Sequence, residues 1–234
     1  MEIETEVTDI IQRTHNVKSF RFPRPESFDY KAGQFMFITI RNAEGEGELR
    51  KHFTISSSPT EDYIEFTKKL SDSIFSQTLK TLKVGDWTKI EGPHGMFTFE
   101  GEYTKIAMLS GGIGITPLRS MCRYCLDLKL DTDIVLLYCN RSIEDTAFRE
   151  EFEDMQSLNK NLRVVLGVDE PPSGWTGIVG RINTEVIKTR IPDYTERVFY
   201  LCGPPPMVKA MDSLLTEIGI PQDSIKKENF YGYE

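Results

Sequence analysis

Several things are scarce in this chain of 234 residues, and each scarcity closes a class of function. Positive charge is not in excess. The 28 lysines and arginines are outnumbered by 36 aspartates and glutamates, for a net charge of −8, whereas a nucleic-acid binder carries a basic face. No run approaches the ~18 apolar residues that cross a membrane as a helix. The opening Met1-Glu-Ile-Glu-Thr-Glu6 lacks the apolar core of a signal peptide. Cysteine is sparse, with four residues at no framework spacing. That fits a reducing compartment, and a cytoplasmic protein is the expectation. No spacing matches an iron–sulfur cluster. Cys122-Arg-Tyr-Cys125 is a lone pair one helical turn apart, which reads as two core positions and not as a zinc site. His15, His52 and His94 are too scattered for a metal set or a nucleophilic triad, so no metal is expected. Internal repeats and low-complexity tracts are absent.

What remains is ordinary globular material, 39% hydrophobic and 11% aromatic, long enough for one large domain or two of about 100–150 residues. The first hundred residues read as short strands between turns: Glu4–Arg13, Val17–Phe22, Gln34–Arg41, Lys51–Ser56, Tyr63–Lys68, Asp86–Glu91 and Met96–Phe99. Turns are marked by Gly33, Gly45 with Gly47, Gly85 and Gly92-Pro93, and only Asp72–Leu82 has a helical pattern. This predicts a closed antiparallel β-barrel. After Glu102 strands and helices alternate. Thr104–Leu109, Asp133–Cys139, Leu162–Val168, Arg197–Cys202 and Ile225–Phe230 are the strands; Pro117–Leu130, Glu144–Leu158, Thr184–Thr189 and Pro205–Ile218 are the helices. Continuous apolar runs such as Ile134-Val-Leu-Leu-Tyr138 require burial on both faces, as in a parallel sheet covered by helices. The expected fold class is therefore a β-barrel domain, residues 1–101, followed by a parallel α/β domain, residues 102–234.

The most informative stretch is Ser110-Gly-Gly-Ile-Gly-Ile-Thr-Pro117, between a strand and a helix. Glycines allow a phosphate close to the backbone, and the unpaired N–H groups of the first helical turn point at it. Thr116 is expected to cap the helix and Pro117 to take its first position. The stretch is not the dinucleotide fingerprint G-x-G-x-x-G, because Pro117 stands in place of the third glycine.

In the first half, Arg50-Lys-His-Phe-Thr-Ile-Ser-Ser-Ser-Pro59 sets two cations, an aromatic ring and several hydroxyls side by side. Those groups can neutralise a pyrophosphate, cover a flat ring and reach a ring nitrogen; equally, they suit a barrel strand with a polar edge. Ser71-Asp-Ser-Ile-Phe-Ser76 puts small residues at a helix start, either as a cap or as a second phosphate contact. Cys202 ends an apolar strand ahead of Gly203-Pro-Pro-Pro206.

In this order the segments resemble the ferredoxin–NADP reductase superfamily. Ala32-Gly-Gln-Phe35 is similar to its Gly-Gln-Phe strand entry, and Lys51-His-Phe-Thr54 to its flavin motif Arg-x-Tyr/Phe-Ser/Thr. Ser73-Ile-Phe-Ser76 falls on Gly-x-x-Ser, Gly92-Pro-His-Gly-Met-Phe97 on Gly-Pro-x-Gly-x-Phe, and Gly111–Pro117 on Gly-Gly-x-Gly-Ile-Thr-Pro. Trp175-Thr-Gly-Ile-Val-Gly180 and Cys202-Gly-Pro-Pro205 complete the series. Two departures stand out. Lys51 replaces an arginine, exchanging a bidentate fork for a point charge, with Arg50 a candidate to supply the lost contact. Ser73 replaces a glycine.

The resemblance implies bound FAD, held by Arg50, Lys51, His52, Phe53, Thr54, Ile55, Ser56, Lys68, Ser73 and Ser76. Phe53 would pack near the isoalloxazine and Thr54 would bond near its N5. FMN is the alternative flavin, since no residue clearly grips an adenine. The nicotinamide nucleotide would take Gly111, Gly112, Gly114, Ile115, Thr116, Pro117, Asn140, Arg141, Cys202, Gly203 and Pro204, with Cys202 beside the nicotinamide. Phe230 would close that side of the flavin, Tyr231 and Tyr233 being alternatives, and Glu228 would stand near the ring. Relatives that use NADP often carry Ser-Arg after the third strand. Here Gly167-Val-Asp169 would repel a 2′-phosphate, though Arg141 could reach one, so the sequence leans to NADH over NADPH. The implied activity is hydride transfer between nicotinamide C4 and flavin N5, with electrons exchanged with a separate ferredoxin or flavodoxin, no such carrier being expected within the chain. The alternatives are an NAD(P)H–flavin reductase using diffusing flavin, or an electron-transfer subunit of a larger redox complex.

Overall fold

The computed structural model describes residues 1–43 and 46–230. Its first part contains β1 (Glu2–Glu6), β2 (Asp9–Thr14), β3 (Val17–Pro23), β4 (Phe35–Arg41), β5 (Glu48–Thr54) and β6 (Tyr63–Lys69). Helix α1 (Ile74–Thr81) and β7 (Trp87–His94) follow. The strands form two antiparallel sheets, β1-β7-β4-β5 and β2-β3-β6, linked by a bridge between Ile55 and Phe66. Alternation along the strands decides what lies inside. Met36, Ile38 and Ile40 of β4 are fully buried, as are Phe20 and Phe22 of β3. Phe20, Phe53 and Phe66 stack inside, with centroids 5.0 and 4.8 Å apart.

The second part runs β8 (Lys105–Gly111), α2 (Ile115–Asp127), β9 (Asp133–Asn140), α3 (Arg149–Leu158), β10 (Leu162–Val168), β11 (Ile178–Val179), α4 (Thr184–Arg190), β12 (Val198–Gly203), α5 (Pro205–Glu217) and β13 (Ile225–Asn229). All six strands are parallel, in the order β11-β10-β9-β8-β12-β13. One apolar cluster, including Met108, Tyr138 and Phe152, packs α2 and α3 on one face. A second, including Leu137, Phe199 and Leu215, packs α4 and α5 on the other. Winding reverses between β8 and β12, which opens a crevice at their carboxyl ends.

The structure departs from the sequence reading in several elements. Glu4–Arg13 is two strands, because the chain changes sheets around buried Val7. Met96–Phe99 is not a strand. Residues 112–114 already form a 3-10 turn, so α2 begins at Ile115, earlier than expected. Thr116 is therefore not the cap. It lies inside the first turn and donates its hydroxyl to Ile113 O at 3.2 Å. Pro117, third in the helix, still falls among the four N–H positions with no intrahelical partner, so it is tolerated there. Helix α3 starts at Arg149 instead of Glu144, since Phe148 takes a left-handed conformation with φ 60°. Gly45, Tyr231 and Tyr233 lie outside the described residues.

Candidate active site between the two parts

The glycine run and the Cys202-Gly203 turn meet at the crevice. An added Cβ on Gly114 would lie 2.3 Å from Cys202 O and 2.7 Å from Gly203 Cα, so only glycine allows this approach. Gly112 has φ +55°, and a Cβ there would point into open space, leaving its backbone accessible. Tyr138 steadies the loop by donating its hydroxyl to Gly112 O at 3.1 Å. A cleft of about 490 Å³ opens beside it. It is lined by Gly111, Gly112, Asn140, Arg141 and Pro204 among the expected residues, together with Asp169. Ile115, Thr116 and Pro117 are buried in α2 instead, where they shape the loop from behind.

Three further residues of the expected site gather at the ends of β12 and β13. Cys202 pairs in register with Glu228, and Phe230 N–H donates to Gly203 O at 2.9 Å. Burial, and then the nearby Glu228, push the Cys202 thiol well above its ordinary value, so it is held as the neutral thiol. Burial also pushes the Glu228 carboxyl up to about 7. Its Oε2 is buried and has no hydrogen-bond partner among the described residues. An unpartnered buried carboxyl oxygen is a candidate contact for a polar ligand.

On the barrel side, strand alternation divides Arg50-Lys-His-Phe-Thr54 between two faces. Phe53 packs inside, between Phe66 and Phe75, and Ile55 is equally buried. Ser56 is engaged too, its hydroxyl 2.9 Å from both Glu65 and Thr67. Arg50 turns outward with His52: its guanidinium lies 3.7 Å over Phe37 and bonds Glu91 at 2.7 Å. It therefore does not join Lys51, whose charge instead faces Lys68. Burial, and then Lys51 and Lys69, bring the Lys68 ammonium down to about 8. Ser73 proves to be the N-cap of α1, accepting from Ser76 N–H at 3.3 Å. The hydroxyls of Ser71, Ser73 and Ser76 lie 3.1–3.2 Å apart at that helix start. Buried Lys68, with the exposed charge of Lys51 acting on it, and the hydroxyl-lined start of α1 are groups that suit a diphosphate, so these residues fit the flavin nucleotide.

Residues 4–99 match the oxidoreductase FAD-binding domain family and residues 108–213 the oxidoreductase NAD-binding domain family. The chain belongs to the ferredoxin–NADP reductase superfamily. It is 34% identical over 230 residues to a glycine betaine monooxygenase reductase subunit of Chromohalobacter salexigens, covering 94% of this chain and 62% of that protein. It is 32% identical to NADH-cytochrome b5 reductase 1 of Dictyostelium discoideum, covering 90% of this chain and 76% of the relative. The cytochrome b5 reductase domain of Ulva prolifera nitrate reductase superposes with a TM-score of 0.83 at 27% identity, covering 97% of each chain. The chain thus carries an FAD-binding and an NAD-binding domain of the oxidoreductase type. No helix among the described residues is long and apolar enough to cross a membrane, and no group of three or more His, Cys, Asp or Glu there could hold a metal ion.

Sequence reasoning missed cleft residues Lys69, Asp145 and Arg181. Neighbouring lysines on a strand point to opposite faces, and choosing Lys69 over Lys68 requires the pairing of Lys69 with Val17, another residue of the cleft wall.

Proposed function

We propose that this protein is an NADH-preferring, FAD-dependent oxidoreductase that passes electrons to a separate redox protein. Bound FAD would take up the hydride, two electrons and a proton equivalent, released when the nicotinamide is oxidised at C4, and would pass the electrons on singly. The observation that supports the reading is the close approach of Gly114 to the backbone of Cys202 and Gly203, which brings the glycine turn and the end of the Cys202 strand together at the crevice. Within it, Gly111 and Gly112 would hold the dinucleotide phosphates, while Cys202 and Phe230 orient the nicotinamide. Glu228 would offset the positive charge that develops on that ring. Lys51, Lys68, Ser73 and Ser76 would hold the flavin phosphates, with Thr54 near N5. Exposed Asp169 on the cleft wall would disfavour a 2′-phosphate. We place the junction of the two domains between residues 101 and 102. The names of the relatives, a monooxygenase reductase subunit and a cytochrome b5 reductase, support a protein acceptor. The test is an absorption spectrum of purified protein before and after anaerobic NADH and NADPH. Stoichiometric FAD bleached faster by NADH supports the reading, and a flavin that stays oxidised with both nucleotides overturns it.

The outward turn of Arg50 favours one other reading, a reductase that uses flavin as a diffusing substrate. Flavin that separates from the protein on gel filtration, with turnover depending on added flavin, would select it.

A further inference from the structure

A buried polar clasp joins the two parts of the chain just behind the glycine turn. Arg119 of α2 is 3% exposed. It donates to Ser56 O at 3.2 Å, to Glu61 Oε1 at 2.9 Å and to Glu151 Oε2 at 2.8 Å. The next residue, Ser120, donates its hydroxyl to Ser57 O at 2.6 Å. On the barrel side Arg13 joins the cluster, spanning Glu65 and Glu151 while lying 4.5 Å over Phe148. Burial would raise the Glu61 carboxyl, but the bond and charge of Arg119 outweigh it and hold Glu61 below its ordinary value. Glu151 is likewise held below its ordinary value, against burial, by Arg119 and Arg13, so both carboxyls that Arg119 grips favour the ionised form.

Such a cluster is a poor device for stability alone, because removing several charges from water offsets most of their attraction. Its merit is directional: an arginine fork and two carbonyl acceptors are satisfied in one relative placement only. The lever arms are short. Arg119 lies five residues along from Gly114, about 7.5 Å at the helical rise of about 1.5 Å per residue. Ser56 lies two residues beyond Thr54, about 7 Å of extended chain. A shift at the clasp would therefore reach the nucleotide turn and the flavin strand nearly undiminished.

We propose that Arg119 and Ser120 are positioning residues that set the distance between the nicotinamide and the flavin, an inference that rests on the functional reading above. Neither residue is among those assigned above to hold either nucleotide. Misplacement by about 1 Å costs on the order of 100-fold in rate, so the clasp should govern the hydride step and spare binding.

Two variants test this. Ser120→Ala removes one bond, and Arg119→Met with Glu61→Gln and Glu151→Gln removes the inner charges together, so that no lone buried charge is left to unfold the protein. Stopped-flow reduction of the FAD-loaded variants by NADH should be slowed roughly threefold to tenfold and roughly 100-fold, respectively. The NADH dissociation constant should stay within about twofold, and the deuterium isotope effect with NADH labelled at C4 should change. Independently, spin labels at Val84→Cys and Val179→Cys, in a Cys139→Ser background without flavin, should give a narrow distance distribution that broadens in the triple variant. Wild-type reduction rates in both variants, or an unbroadened distribution, overturn the proposal. If the unsubstituted protein is not reduced by either nucleotide, the functional reading is what fails, and the spin-label distances alone decide the clasp.

Discussion

Replacing Glu228 by glutamine should stabilise the flavin-free protein at high pH and slow the reaction of the FAD-loaded protein. Burial lifts this carboxyl from its ordinary value to about 7, so the native state holds the proton more tightly than the unfolded chain. Stability is then full in acid, falls as the pH rises from the ordinary carboxyl range through about 7, and levels off above that. Each tenfold change in proton affinity is worth about 1.4 kcal/mol, so the ionised side chain costs the native state about 3 kcal/mol. Buried Oε2 has no partner among the described residues to offset that cost. Glu228→Gln keeps the shape and removes the ionisation. Urea unfolding should show the variant more stable by up to about 3 kcal/mol near pH 8 and by about 1 kcal/mol or less near pH 5. In the FAD-loaded protein the same substitution should slow hydride transfer roughly tenfold near pH 8 and abolish a rate increase centred near pH 7, because the carboxylate favours the developing positive charge. A stability difference that is the same at both pH values would refute the burial argument. A rate profile unchanged by the substitution would remove Glu228 from the reaction.

Four further outcomes are expected. Lys68, brought down to about 8 by burial and then by Lys51, must be charged to hold a diphosphate. The FAD dissociation constant measured by fluorescence should therefore rise up to about tenfold per pH unit above pH 8, and Lys68→Met should flatten that slope. Asp169→Ser should raise the NADPH-to-NADH ratio of kcat/KM roughly tenfold by removing the acidic side chain from the cleft wall, read by steady-state kinetics. Gly114→Ala places a Cβ 2.3 Å from Cys202 O, and should cost about 2 kcal/mol by thermal unfolding and weaken NADH binding. Gly112→Ala, with open space at its Cβ but φ +55°, should cost only about 1–2 kcal/mol of backbone strain.

Much of this was legible in the residues because the signals were local. Alternation in Phe35–Arg41 and the unbroken apolar run of Ile134–Tyr138 set the two kinds of sheet, and the glycine run fixed the nucleotide turn. What escaped depended on register or on competition between neighbours. Arg50 is available to a phosphate on composition alone, but alternation turns it toward Phe37 and Glu91. Phe148 closes off the first turn expected for α3 by adopting a conformation no propensity favours. Ser73, which reads as a loss of room, supplies the helix cap that a glycine cannot.

The same reasoning explains why the clasp was invisible. Arg119 and Ser120 sit inside an amphipathic helix, where an arginine ordinarily marks the solvent face. Their burial follows only when α2 is set against the chain beyond Thr54, since the partners Ser56, Ser57 and Glu61 come from the other half of the sequence. Each half carries its own nucleotide signature, readable separately. On the proposed function, hydride transfer would depend on the separation between them, and the clasp would set that separation partly through the carbonyl oxygens of Ser56 and Ser57, which have no sequence signature at all. Variation at 119 and 120 should therefore leave every motif intact and still change the rate, whereas variation in the motifs should change what is bound.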